Sequence, residues 1–358
     1  MTKCIHVVGA RPNFMKCAPL VAALREFDVD QKLVHTGQHY DRNMSELFFS
    51  QLGLPEPDYN LGVGSGSHAS QTGRIMMGLE EVLLAERPEW VIVYGDVNST
   101  AAAALVATKL GIKLAHVEAG LRSFDRTMPE EINRLVTDVL ADLLLTPSQD
   151  GNRNLASEGI APEKVVLVGN LMIDTLVRLQ PIARRPEGLQ VGSRFVLVTL
   201  HRPSNVDAPD TLKALLVTLG ELAREVPVVF PVHPRTRSLI DANGMAGDAR
   251  RLLLTEPLGY LEFLALQRDA TLVITDSGGV QEETTFLGVP CITVRANTER
   301  PVTVELGTNV LVGQDRQALR EHARLAIDGR WKRGAVPPLW DGNAGRRAAE
   351  VIVARSRP

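Results

Sequence analysis

Short runs of β-branched and apolar residues alternate with amphipathic stretches along nearly the whole chain. Ile5–Gly9, Lys32–Thr36, Trp90–Tyr94, Lys113–Val117, Leu143–Thr146 and Val165–Val168 read as strands buried on both faces. Helical spacing fills the intervals. Met15, Leu20, Leu24 and Phe27 approximate one face, a second helix is expected from about Asn43 to Leu52, and Ile75, Leu79 and Val82 stay in register through Ser67–Glu86 until Pro88 stops the helix. An Ala-rich helix follows Ser99-Thr100 to Leu110, its small side chains implying close packing on the sheet, and Pro129-Glu130-Glu131 opens another with acids in its first turn. Ala10–Asn13 reads as a turn and Pro55–Gly66 as a loop.

The alternation then restarts. Phe195–Leu200, Val228–Val232, Leu252–Thr255, Thr271–Thr275 and Cys291–Val294 are expected strands, with helices near 210–225, 259–268, 280–287 and 315–329. Two successive β/α series predict an α/β protein of two doubly wound parallel sheets, with ligands at the carboxyl ends of the strands and a central cleft between the domains. The expected crossover is Val168-Gly169-Asn170, giving domains 1–168 and 169–341, with a last helix at about 342–358 packing back on the first.

Composition narrows the function more than the fold. The 358 residues are 44% hydrophobic and 23% charged, as in a soluble two-domain protein. A net charge of −3 and 4% aromatic residues offer no case for nucleic acid or an anionic membrane. No apolar run reaches the length of a membrane span, and Cys4–Gly9 is too short for a signal peptide core. Three unevenly placed cysteines fit reduced thiols in the cytoplasm.

The chemistry collects at strand ends. Val273–Glu283 reads as a strand, a tight turn and a helix: Asp276 and Ser277 can cap the helix, and Gly278 and Gly279 admit a group close to the backbone. The bare amides and positive dipole end make a phosphate site, with Glu282 and Glu283 placed to accept ribose hydroxyls; a plain capped turn would read the same way. Arg11 and Lys16 flank the first strand-to-helix junction as an anion site would need, or as two solvated charges. Arg11, Gln38-His39, Asp96, Glu118, His201-Arg202, His233 and Asp276-Ser277 all follow strands. Asp96 and Glu118 lie on the ligand edge of the sheet, while Glu130 also suits a helix dipole. His201 stands where an acid for a phosphate would be useful, and Phe263 offers a stacking face, though its pattern favours the core. A Cys-x-x-Cys pair, a Walker loop, the dinucleotide fingerprint and a nucleophile elbow are all missing from the sequence.

Several stretches, in order, resemble the non-hydrolysing UDP-N-acetylglucosamine 2-epimerase family. They are Gly9-Ala10-Arg11-Pro12 with Lys16, Thr36-Gly37-Gln38-His39, Gly95-Asp96 with Ser99-Thr100, His116–Arg122, Pro129–Arg134, Val168-Gly169-Asn170, His201-Arg202, Asp276–Glu283 and Thr298-Glu299-Arg300-Pro301. The resemblance implies two Rossmann-like domains facing a cleft, as in GT-B glycosyltransferases, and a cytoplasmic homodimer that needs no metal or nicotinamide cofactor. It implies inversion at C2 of UDP-GlcNAc by elimination of UDP to a glycal and re-addition. On this resemblance Asp96, Glu118, Glu130 and His201 match catalytic residues. Arg11, Lys16, Phe263, Ser277, Gly278, Gly279, Glu283 and Arg300 match contacts to UDP, and Gln38, Arg74 and His233 match a second, activating UDP-GlcNAc site. The Arg-Glu-Asn with which many bacterial members continue after His201-Arg202 is replaced here by Pro203-Ser204-Asn205, which weakens the case for activation. The stretches Val34–Asp41, Asn43–Glu46 and Ser123-Phe124 also resemble sibling epimerases of UDP-2,3-diacetamido-glucuronate. A GT-B glycosyltransferase or a sugar-nucleotide sensor would share the nucleotide half but would not need three carboxylates and a histidine on one sugar.

Overall fold

The computed structural model describes residues 2–38 and 51–356. The chain divides into two compact units, Met1–Thr175 with Pro338–Pro358, and Leu176–Pro337. The sequence places the crossover at Val168–Asn170; in the structure a helix, Leu171–Leu179, carries the chain across, and the division falls inside it.

In the first unit β1 (Lys3–Val8), β2 (Asp30–His35), β3 (Tyr59–Asn60), β4 (Trp90–Tyr94), β5 (Lys113–Val117), β6 (Leu143–Thr146) and β7 (Val165–Leu167) form one sheet in the order β3-β2-β1-β4-β5-β6-β7. Every pairing is parallel, with Val7 opposite both Val34 and Val93, and Tyr94 opposite Val117. β3 is a correction: Tyr59–Asn60 sits inside a stretch rich in Pro and Gly, which hides so short an edge strand. The helix expected at about 43–52 lies, but for its last two residues, outside the described part, as does His39.

Both faces of the sheet are covered, as an all-parallel sheet requires. Ile5, Val7, Val91 and Val93 pack with Leu79, Leu83, Ala103, Ala104 and Ala107 of helices His68–Glu86 and Asn98–Lys109. Ser67 caps the first of these by accepting from Ser70 N. Helix Arg11–Leu24 starts at the segment expected to be a turn, because Pro12 suits a helical first turn and Asn13 holds the entry. The final helix, Ala344–Ser356, packs on it, and a Cβ at Gly345 would lie 2.9 Å from the Pro19 carbonyl.

The second unit repeats the winding with β8 (Val196–Thr199), β9 (Val228–Pro231), β10 (Leu253–Thr255), β11 (Leu272–Thr275), β12 (Cys291–Thr293) and β13 (Asn309–Leu311), in the order β10-β9-β8-β11-β12-β13. Again every pairing is parallel. β13 and helix Pro234–Ala242 are not among the expected elements; three residues carry no readable period, and the helix is polar on most of its turns. One core joins Val196, Val198, Phe230 and Ile274 to Leu215, Leu216 and Leu219, each fully buried leucine contributing about 2–3 kcal/mol. In each sheet the strand order reverses beside the first strand, between β1 and β4 and between β8 and β11. Those two positions are where a doubly wound sheet binds ligands.

Candidate active site

In the first unit the turn after β1 is tied to the end of β4 by one side chain. Asn13 Oδ1 accepts from the amides of Gly9 and Ala10, 3.1 Å each, while its Nδ2 donates to the Tyr94 carbonyl at 2.8 Å. One turn along the same helix, Lys16 is buried with its Nζ 2.6 Å from Glu118 Oε1. Glu118 follows β5 directly and adopts a left-handed backbone, φ 73°, rare for a side chain of this size. Both its amide and that of Ala119 donate to the Leu145 carbonyl, which holds the strained turn in place. Gly95 must be glycine: its φ is 62°, and a Cβ there would lie 3.0 Å from Lys16 Nζ and 3.4 Å from Glu118 Oε1. Lys16, matched by resemblance to UDP, thus has a carboxylate as its immediate partner. Arg11 is exposed at the start of the helix.

The other two carboxylates of the first unit are set differently. Asp96 Oδ2 accepts from Arg134 Nε at 2.9 Å and Nη2 at 2.6 Å, and Asn133 Nδ2 donates to the Asp96 carbonyl at 2.9 Å. Arg134 is shared with Glu131, whose buried carboxylate takes the amides of Ser123 and Phe124 and the Ser123 hydroxyl. Glu131 therefore fastens the loop, and its neighbour Glu130 is left half-buried in the helix's first turn, with no hydrogen bond or ion pair among the described residues.

Beneath Gly95 lies a buried group that the strand pattern conceals. His116 Nε2 donates to the Gly95 carbonyl at 2.8 Å and its Nδ1 meets Asp138 at 2.6 Å. Asp138 also takes Arg122 at 2.7 Å and the Gly120 amide at 3.1 Å. Burial pushes the Asp138 carboxyl up, but His116 and Arg122 outweigh it and hold the group below the usual carboxylate range. A histidine in the middle of an apolar strand is its only sign in the sequence.

Of the residues matched to a second site, Gln38 is buried and accepts from Ser99 N at 3.1 Å and Ser99 Oγ at 2.7 Å. Arg74 is exposed and donates to the carbonyls of Ser65 and Ser70. His233, in the second unit, is exposed and caps helix Pro234–Ala242 by accepting from Arg235 N.

In the second unit the organising group is Asp276. It is fully buried and accepts from the amides of His201 and Arg202, at 3.1 and 3.0 Å, and from Asn205 Nδ2 at 2.9 Å; His201 Nδ1 lies at 2.9 Å. Burial raises its pKa, but His201, Asn205 and the Arg202 amide more than compensate, and the carboxyl is held low. The expected cap is thereby corrected. Asp276 spends its oxygens on the turn after β8, and Ser277 makes no side-chain cap, so the first amides of helix Gly278–Leu287 are left for another acceptor. Arg300 closes on the same point. It is buried beside Glu282, with Nε 3.0 Å from Oε1, and it pairs with Glu299. A Cβ at Gly278 would lie 2.4 Å from Arg300 Nη1, so only glycine fits. With Glu282 engaged by Arg300, Glu283 turns to the Tyr260 hydroxyl at 2.8 Å, and burial pushes its pKa up to about 7. Phe263 is half-buried against the cluster holding Leu266 and Val280. Among the described residues no cluster of three or more His, Cys, Asp or Glu could hold a metal, and no helix is long and apolar enough to cross a membrane.

The strand order and these two strand-end sites define a GT-B-like protein of two Rossmann-like units. A lipopolysaccharide outer core galactosyltransferase shares that fold, with a TM-score of 0.59 at 15% identity over 99% of this chain and 100% of that one. The family model for UDP-N-acetylglucosamine 2-epimerase matches residues 22–353. The chain belongs to the UDP-N-acetylglucosamine 2-epimerase family, whose members are isomerases. It is 42% identical to the Methanocaldococcus jannaschii UDP-GlcNAc 2-epimerase crystallised in complex with UDP-GlcNAc and UDP, with a TM-score of 0.89 over 99% of this chain and 100% of that one. It is 44% identical over 354 residues to the Pseudomonas aeruginosa UDP-2,3-diacetamido-2,3-dideoxy-D-glucuronate 2-epimerase, covering 98% of this chain and 99% of that protein.

Proposed function

We propose that the protein interconverts UDP-GlcNAc and UDP-ManNAc by eliminating and re-adding UDP. The observation that carries this is the placement of Asp96 and Glu118 at the carboxyl ends of adjacent strands, Glu118 paired with Lys16. The C2 proton of the sugar is not acidic enough for direct removal. In elimination a carboxylate takes the C2 proton, the C1–oxygen bond breaks with its electron pair leaving on UDP, and a C1–C2 double bond forms. In the return a proton reaches the opposite face of C2 as UDP oxygen rejoins C1. Asp96, Glu118 and Glu130 supply the base and acid. The helix start at Gly278–Gly279, with Ser277, Arg300 and Arg11, takes the negative charge of the departing diphosphate, His201 assists it, Glu283 holds the ribose and Phe263 lies near uracil.

Incubation with UDP-GlcNAc in D2O tests the reading. Deuterium at C2 and a mixture of gluco and manno isomers are expected; tight UDP binding without either would leave a glycosyltransferase or a sensor. The Pseudomonas relative supports a second reading, in which the sugar is the 2,3-diacetamido-uronate. A side-by-side assay of the two nucleotide sugars decides between them.

The ribose assignment carries its own pH dependence. UDP-GlcNAc keeps the same charge from about pH 6 to about pH 8, whereas Glu283, raised to about 7, ionises across that range. An ionised carboxylate accepts two hydroxyls, so affinity should rise roughly tenfold over the interval, and Glu283→Gln should bind weakly and without that slope. For stability the sign is opposite. A raised carboxyl contributes fully below the ordinary carboxylate range, and that contribution is lost as pH rises through about 7. Calorimetry showing no slope in the native protein would refute the assignment.

The same reading includes a homodimer working in the cytoplasm, in the synthesis of cell-surface polysaccharide. Met77 and Leu84, and Ile132 and Val139, are exposed a heptad apart on two helices that both pack against Asn98–Lys109, which supports pairing through that side. Cys4, Cys17 and Cys291 are buried free thiols, as a reducing compartment allows.

A further inference from the structure

Beside the Lys16–Glu118 pair is a cavity of about 10 Å³, room for one water-sized atom, whose lining includes Lys16, Glu118, Pro147, Gly169 and Asn170. Asn170 follows β7 and is 2% exposed. Its place is fixed from both sides. Gly169 has φ 91° and a Cβ there would lie 2.1 Å from the Leu339 carbonyl, and the amides of Val168 and Gly169 both donate to the Thr146 carbonyl. Asn170 Oδ1 accepts from Met172 N at 2.9 Å and so caps helix Leu171–Leu179. A backbone amide can only donate, so the capping atom is the oxygen and the other is the NH2. That Nδ2 is buried and has no hydrogen-bond partner among the described residues. An unmet buried donor costs about 1–3 kcal/mol, which is recovered when an acceptor arrives.

We propose that Asn170 is a specificity-determining residue whose side-chain amide donates to the carbonyl oxygen of the substrate's 2-acetamido group. The proposal rests on the epimerase reading for the position of C2 beside Glu118. The cavity admits one oxygen-sized atom and offers it donors, Asn170 Nδ2 and Lys16. A sugar hydroxyl would also need an acceptor for its own proton; Glu118 Oε1 is held by Lys16, and the other oxygen is the one that the epimerase reading assigns to the proton at C2. A carbonyl oxygen only accepts. The nearest such oxygen to C2 is that of the acetamido group attached to it, and both nucleotide sugars considered above carry it.

The test compares the native protein with Asn170→Ser, which keeps a capping oxygen and removes the donor. Calorimetry is run with UDP-GlcNAc, UDP-glucose and UDP, alongside kcat and KM. The expected result is about a tenfold loss of affinity for UDP-GlcNAc, with UDP-glucose, UDP and the melting temperature unchanged. Asn170→Asp keeps both shape and cap but places an anion beside Glu118, and should weaken UDP-GlcNAc further. Equal weakening of UDP-GlcNAc and UDP-glucose, or no change in either, overturns the proposal, as does a native protein that binds the two sugars alike. Failure of the epimerase reading shows itself separately, as UDP-GlcNAc binding with no deuterium incorporated at C2.

Discussion

Replacing Glu118 with glutamine is expected to lower turnover of UDP-GlcNAc by about 10³-fold, the middle of the range for losing a positioned proton carrier. The substitution keeps the shape of the side chain and an oxygen for Lys16, so the chain should still fold. It leaves a buried ammonium without its counter-charge, since both partners are almost fully enclosed at 6% and 5% exposure. A loss of stability therefore accompanies the loss of turnover, and the two have different causes. Lys16→Met in the same chain removes the stranded charge and should restore the melting temperature towards the native value, because a buried pair replaced by neutral groups is close to neutral in stability. It should not restore turnover. The measurements are a coupled assay, deuterium exchange at C2 and thermal melts of the two singles and the double. Turnover of Glu118→Gln within tenfold of native would make Glu118 a structural partner of Lys16 and nothing more.

The largest stability effect is expected at Asp276. Asp276→Asn is close in size, but its NH2 would face donors: the amides of His201 and Arg202 and the Asn205 side chain. About 3 kcal/mol should be lost, the usual cost of breaking a buried charged network on one side. The neutral donors account for most of that, because the His201 side chain is 57% exposed and its charge is screened by water. The sign with pH follows from a depressed carboxyl. Its contribution is present above the ordinary carboxylate range and is lost as pH falls through the lower folded value. Denaturant midpoints of native and Asp276→Asn should therefore differ at neutral pH and converge in acid. Because the turn holding His201 hangs on this carboxylate, the variant should also lose turnover at temperatures where it remains folded. A difference in midpoint that persists unchanged into acid would show that the side chain acts by packing rather than by charge.

How much of the molecule is legible in its chain depends on the range of the interaction. Strand and helix periods are local, so the winding of both units follows from runs such as Trp90–Tyr94 and from the register of Ile75, Leu79 and Val82. The polar strand ends are local too, which is why Asp96, Glu118, His201 and Asp276 stand out along the chain by position alone. What stays hidden is the choice of partner. Asp276 looks like the cap of its own helix, yet its oxygens cross to a turn 75 residues earlier in the chain. Glu130 and Glu131 are alike in their local sequence, and it is the loop at Ser123-Phe124 together with Arg134 that separates the fastened carboxylate from the unengaged one. Lys16 and Glu118 are 102 residues apart, and no period links them. β3 and β13 escape for the opposite reason: two and three residues are too few to show a period at all.

The return of the last helix to the first unit bears on how the chain is made. Ala344–Ser356 packs on Arg11–Leu24, and its first amides, at Ala344 and Gly345, are capped by Asp174. Trp340 donates to the Pro147 carbonyl just before it. Synthesis delivers every residue of the second unit before any of these contacts can form. On the ribosome the second unit, continuous in sequence, has all its own parts first, while the first waits with the surface of Arg11–Leu24 uncovered. The carboxylates proposed to react thus belong to a unit that cannot finish its own packing until the second unit has been synthesised.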